Sequence, residues 1–257
     1  MKLKESFLWV SIIATFLILF FILVPVLNLL TSSSFKTIKI TITQKEVIKA
    51  LWLSIYTSGF AGLISLLFGT PFAYLLARKN FFGKRFIESI VDIPIVIPHP
   101  VVGIAILGVV GKNHIIGKVL YTLGIRIMGS VTGIITVLVF VGIPFYINAC
   151  RNAFENISPR IENVSRSLGA SLWETLLYIT FPLASRGMLV GFIMCMARAI
   201  SEFGAVVVLA YHPMIAPVLI YDKFETSGLN SSQPIAVLLI LICLVLFLGL
   251  RTIPHKK

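Results

Sequence analysis

Five stretches of this chain run for 19 to 28 residues without an aspartate, glutamate, lysine or arginine, and they constrain its fold more than any other feature. They cover residues 8–30, 50–77, 93–111, 127–150 and 229–250; a sixth, 187–210, is interrupted by Arg198 and Glu202. A helix needs about 20 such residues to cross the hydrocarbon of a bilayer, because each residue rises only about 1.5 Å. Barrel strands would alternate apolar and polar residues over about 10 positions, whereas these runs are apolar on every side. The reading is an all-α polytopic transmembrane bundle of about six helices, forming a single membrane domain over residues 1–257.

The basic start MKLKES followed by a long apolar run has the outline of a signal peptide. No small-x-small cleavage site follows in NLLTSSSF, so the run is read as a retained first helix. Cys150, Cys195 and Cys243 lie in or at the edge of apolar runs without metal-ligand spacing, as reduced packing residues do. A net charge of +12 does not point to nucleic acid, because the basic residues are scattered over short flanking segments. With both termini in the cytoplasm, cytoplasmic segments hold 13 lysines and arginines against 8 on the opposite side, the direction the positive-inside rule favours. Residues 151–186 are then cytoplasmic.

Residues 31–49 alternate Ile with Thr and Lys around 38–43, which suits a short extended piece outside the membrane. Thr43, with Glu46 three residues on, is a candidate cap for the second span, whose Gly59, Gly62, Gly69 and Pro71 invite close helix approach or bending. Pro94, Pro98 and Pro100 remove three backbone donors in seven residues, so the third run is kinked or broken; His99 sits between two of them. Gly142 and Pro144 suit a bend in the fourth span. Arg198 and Glu202 are four residues apart, so they share a helix face. Two readings stay open for them: a structural ion pair, or groups lining a pathway. The stretch 211–234 reads as an outside loop.

Between the fourth and fifth spans, SPRIENVSRSLGASLWETLLYITFP keeps a helical rhythm yet carries charge. Ser158 and Pro159 offer a helix start, Gly169 a turn, and Pro182 a limit to the second helix. The chain has no nucleophile-and-base arrangement and no phosphate-binding G-x-x-x-x-G-K-[ST], so by itself it should be catalytically inert.

This segment resembles the EAA signature of the membrane subunits of ATP-binding cassette importers: E-A-A, three residues, G, then I-x-L-P. The triplet falls on Asn163, Val164 and Ser165, with Glu162 just ahead; RSLGAS fits, and the ending falls on Ile179, Phe181 and Pro182. The triplet and Phe181 depart from the consensus. DIPIVIPHPVVGIAILG and MARAISEFGAVVVLAYHPMIAPVLIYDKF are similar to the molybdate and tungstate permease group, particularly its archaeal type. The resemblance implies a type I importer permease fold, two copies of the chain around a pathway, and two cytoplasmic ATPase subunits that bind the ATP and Mg. It also implies an external oxyanion-binding protein, and no cofactor in this chain. It places Glu162, Asn163, Val164, Ser165, Arg166, Gly169, Ala170 and Pro182 in ATPase coupling. The residues themselves make Pro98, His99, Arg198, Glu202, Phe203 and Gly204 the candidates for the pathway or its gating. A sulfate importer of the same architecture, a gradient-driven transporter and a non-transporting membrane assembly protein stay open as alternatives.

Overall fold

The computed structural model describes residues 2–111 and 113–251, and helix is the only regular structure among them. Lys112 and residues 252–257, which enter the charge tally, lie outside the described residues. Among the described residues, four helices are long and apolar enough to cross a membrane: Phe7–Ser32, Lys45–Arg78, Val131–Glu155 and Leu172–Ile200. A bent pair supplies a fifth crossing if taken as one span, and Leu229–Val245 is a shorter apolar helix.

Helix α1 (Lys2–Ser32) runs along the outside of the bundle with none of its apolar window buried, the behaviour of a helix solvated by lipid. Ser34 caps α2 (Phe35–Thr43) by accepting the Thr37 N–H. The expected extended piece is therefore a helix. Its Ile38 and Thr41, three residues apart, face the bundle, while Ile40 and Ile42 stay exposed. The alternation therefore reported no buried face, since two of its isoleucines stay exposed. Thr43 closes α2, its hydroxyl donating to the Ile40 carbonyl, and Gln44 takes the cap position before α3 (Lys45–Arg78).

Helix α3 explains how the bundle packs. Ala50, Ser54, Ser58, Ala61, Ser65, Gly69 and Ala73 form a buried stripe of small residues, while Trp52, Tyr56, Phe60, Leu63 and Leu67 point outward. Lipid tails are as apolar as a leucine side chain, so association rests on close packing, which small residues permit. The stripe receives α7 (Val131–Glu155) and α10 (Phe181–Ile200): a side chain at Gly69 would meet the Tyr146 ring at 2.7 Å, and one at Gly62 the Phe192 ring at 2.8 Å. Tyr146 itself is fully buried, its hydroxyl 2.6 Å from that of Thr70.

The third apolar run is not one helix. It divides into α4 (Lys84–Val96) and α5 (His99–Val110), bent by 112°. Ile97 and Pro98 are extended, because a residue before proline avoids helical angles and proline offers no N–H. Short α6 (Ile115–Thr122) then leads to α7, capped by Ser130.

Beyond α7 the chain forms α8 (Pro159–Ser167) and α9 (Leu172–Thr175), a π-turn over Leu176–Thr180, and α10. Pro182 does not stop the helix as expected. The wide turn, closed by the Phe181 N–H on the Leu176 carbonyl, places Pro182 in the first turn of α10, where its missing N–H is harmless. The interrupted run 187–210 also departs from expectation: α10 ends at Ile200, and α11 (Gly204–Leu209) is a separate short helix. The expected outside loop contains α12 (Ala216–Ser227), which starts with Pro217 in its first turn and buries Ala216, Val218 and Leu219; α13 (Leu229–Arg251) follows. Leu219 joins Val47, Leu51, Ile235 and Leu238 in a cluster that ties α12 to α3 and α13.

The small-residue seam makes a direct prediction. Gly69→Leu should cost about 1–3 kcal/mol through overpacking against immovable Tyr146, read as a lower unfolding temperature in detergent. Gly108→Leu, where nothing lies within 4 Å of the added carbon, should cause no loss.

Candidate functional site

Two breaks, one in each discontinuous run, meet in space. The first is the Ile97–Pro98 link before α5, and the second is the Ser201–Phe203 link between α10 and α11. Glu202 sits in the second break with 1% of its surface exposed. One carboxylate oxygen accepts the Arg198 Nη2–H at 2.8 Å, and the other accepts the Ala205 backbone N–H at 2.9 Å. Arg198 and Glu202 were expected to share a helix face. Instead the helix has ended between them, and the pair spans the bend. The break needs such a group, because a helix start inside a bundle leaves backbone donors that only protein can satisfy.

His99 joins this pair from the opposite element. Its Nδ1 lies 3.4 Å from Glu202 Oε2, and both ring nitrogens lie about the Arg198 Nη2, at 3.0 and 2.9 Å. Gly204 lets the two backbones approach this closely: a Cβ there would stand 2.9 Å from His99 Cβ and 3.2 Å from Pro100 Cδ. Pro98 sets the break that aims His99. Phe203 is the exception among the six expected pathway residues, since its ring packs on Tyr221 at 4.9 Å.

The cluster has an uneven distribution of exposure. The acid is buried, whereas the side chains of Arg198 and His99 are 19% and 44% exposed. Among the described residues, Nε and Nη1 of Arg198 have no hydrogen-bond partner. The site can therefore offer guanidinium donors and an imidazole to an anion while its carboxylate is already occupied from two sides. No group of three or more His, Cys, Asp or Glu among the described residues could hold a metal ion.

The second constellation is the knob formed by α8 and α9. Ser158 caps α8, Gly169 turns the chain at φ +97°, and Ser171 with Glu174 forms a reciprocal capping box on α9. Ser165 and Thr175 hydroxyls, 3.2 Å apart, hold the two helices together. Asn163, Val164, Arg166 and Gly169 are exposed, Ala170 is half-buried, and Pro182 is exposed at the start of α10. Leu168, Trp173 and Tyr178 also project outward, leaving an apolar face with no cover in this chain.

Glu162, expected among these outward groups, points inward. It is buried, and its carboxylate accepts from Arg78 Nη2 at 2.8 Å, from Arg78 Nε at 3.1 and 3.2 Å, and from the Thr180 hydroxyl at 3.1 Å. The Tyr74 hydroxyl lies at 3.4 Å, and Arg78 Nη2 also donates to the Ile157 carbonyl at 3.1 Å. Sequence reasoning counted Arg78 only as a basic flank and missed Tyr74 and Thr180. Their separations from Glu162 in the chain carry no periodic signal; the only hint is an arginine ending an apolar run.

Comparison with known proteins places these features in a family. Residues 65–254 match the family described as "Binding-protein-dependent transport system inner membrane component". The chain is 41% identical to the molybdate/tungstate transport system permease protein WtpB of Thermococcus kodakarensis over 95% of this chain and 94% of that protein. It is 39% identical to the WtpB of Methanocaldococcus jannaschii, over 91% and 92% of the two chains. A probable sulfate transport system permease protein of Chlorokybus atmophyticus is 31% identical over 91% and 85%. Among solved structures, a bacterial alginate ABC transporter in complex with a pentasaccharide-bound periplasmic protein superposes with a TM-score of 0.76 at 16% identity. That match covers 99% of this chain and 96% of that one. The inward-facing MetNI methionine ABC transporter gives 0.64 at 17% identity, over 80% and 94%. These two share the fold. The chain is a multi-pass membrane protein and belongs to the family of binding-protein-dependent transport system inner membrane components.

Proposed function

We propose that two copies of this chain form the membrane pathway of an importer that carries tungstate or molybdate into the cell. The observation that carries the reading is the Arg198–His99 rim over a buried Glu202, at the meeting of two broken helices. A tetrahedral oxyanion is divalent and strongly hydrated, so its route needs donors that replace water without trapping the ion. A guanidinium paired with a buried carboxylate is such a donor: it still presents N–H groups, but attracts an anion less than a free cation does. The oxyanion assignment draws on permeases of that description at 41% identity over nearly their whole length, against 31% for the sulfate relative.

On this reading the chain itself is not an enzyme. Its residues 151–186 are a cytoplasmic coupling segment, and both termini lie on that side. The exposed face bearing Leu168 and Trp173 docks on a separate ATPase, which binds ATP and Mg; an external binding protein selects the substrate. Nucleotide state then shifts the pathway between outward and inward exposure by binding the two arrangements differently. The proposal treats residues 1–257 as one permease domain.

Two outcomes are expected. In sealed vesicles holding this chain, the ATPase and the external binding protein, ATP should drive uptake of tungstate or molybdate but not sulfate. Uptake of sulfate alone would reassign the substrate, and no uptake by a verified complex would favour a non-transporting role. Arg198→Lys keeps the charge opposite Glu202 but loses the planar fork. It should assemble normally and slow uptake by about tenfold or more, the scale of one charge-assisted contact. Glu202→Ala removes the side-chain acceptor of the Ala205 N–H and strands Arg198, and should lose roughly 3 kcal/mol of stability, seen as failed assembly.

A further inference from the structure

We infer that Glu162 and Arg78 form an internal clamp that makes the knob, the end of α3 and the start of α10 move as one body. The inference rests on the importer reading and concerns how force travels once a partner has docked. The Glu162 carboxylate is held from three sides. Arg78 reaches it from the last turn of α3 through Nε and Nη2, and Thr180 reaches it from the π-turn leading into α10. Tyr74, one turn back on α3, approaches its other oxygen. Arg78 continues to the Ile157 carbonyl, in the link between α7 and α8. The Glu162–Arg78 pair thereby gathers three neighbours of α8: the helix with the small-residue seam, the link from α7, and the π-turn that opens α10, the helix carrying Arg198.

The local geometry serves this junction. The one extra residue of the wide turn shifts the helical phase by about 100°, which changes which residues face α8. That turn brings the Thr180 hydroxyl, fully buried, onto the carboxylate. Side-chain exposures of 9% for Arg78 and 10% for Glu162 remove most of the solvent screening that weakens a surface pair. Two separate nitrogens of Arg78 engage the carboxylate, which fixes orientation as well as distance. By contrast, the outward face of α8, with Asn163, Val164 and Arg166, makes no side-chain hydrogen bond to α3. Glu162 and Arg78 are thus positioning residues inside the chain, and neither is an ATPase contact.

The test uses the full complex in vesicles, with ATP hydrolysis and tungstate or molybdate uptake measured on the same preparation. Glu162→Gln and Arg78→Gln should retain the ATPase and hydrolyse ATP within about twofold of the parent, while uptake per ATP falls by about tenfold, a typical coupling loss. The exchanged pair Arg78→Glu with Glu162→Arg should recover part of that ratio. Unchanged uptake per ATP in both single variants, or loss of bound ATPase in them, would overturn the clamp. A second readout does not depend on transport. Spin labels at exposed Lys79 and Arg160, with the three native cysteines replaced by alanine, should give one narrow distance that ATP leaves unchanged. Glu162→Gln should broaden it. A distance that moves with nucleotide in the parent, or stays narrow in the variant, would contradict the inference. If the parent complex takes up no oxyanion, the importer reading fails, and the label distances still decide the clamp.

Discussion

A buried carboxylate on α8 ties the knob to helices of the bundle that already pack against one another. The knob of α8 and α9 projects from one end of the bundle and has little packing of its own, since most of α8 is exposed. Glu162 compensates for that. Taking a carboxylate and a guanidinium out of water is repaid only when geometry is good and the remaining hydrogen-bonding capacity is filled. Here Arg78, Thr180 and Tyr74 fill it on the acid, and the Ile157 carbonyl takes a further donor of the arginine. A glutamine amide keeps part of the hydrogen bonding in place, whereas truncating either side chain to alanine would leave the other charge stranded, at a cost of about 3–5 kcal/mol. That is a large share of the stability a domain holds in total.

The bundle meets a second problem in the same way. Helices inside a bilayer satisfy their own backbone, and each interruption creates donors and acceptors that water cannot reach. The fold places its two interruptions against one another and lets Glu202 serve both the Ala205 N–H and Arg198. The acid is thereby used up structurally, which leaves the half-exposed His99 and the outer nitrogens of Arg198 as the chemistry on offer. Structural pair and pathway group are therefore not competing descriptions: the pair is what allows an arginine to be held at a broken helix. The long α10 connects the two sites, with Thr180 of the clamp just before it and Arg198 near its end.

Much of this was legible in the residues. Uncharged runs located α1, α3, α7 and α13, and Ser158, Pro159 and Gly169 marked the knob, because caps and left-handed turns have strong local chemistry. Arg198 and Glu202 stood out against an apolar background. The misreadings have physical causes. Alternating Ile and Thr in α2 mimicked a strand because Ile40 and Ile42 are exposed and the alternation marks no buried face. Pro217 looked like a loop residue but occupies the first turn of α12, where proline is tolerated. Pro182 was taken as a stop because a π-turn has no sequence signature. The partnerships of Glu162 with Arg78 and of His99 with Arg198 are long-range, and without a repeating pattern nothing local announces them.

The account's central claim is that the knob and the pathway helices form one mechanical unit. Its most direct measurement is a pair of structures of the assembled complex by electron cryomicroscopy, one without nucleotide and one with ATP bound. The account predicts that the Arg78–Glu162 contact stays at hydrogen-bond distance in both, while the separation of the two copies at Arg198 changes. A contact that opens in one state while α10 stays fixed would contradict it.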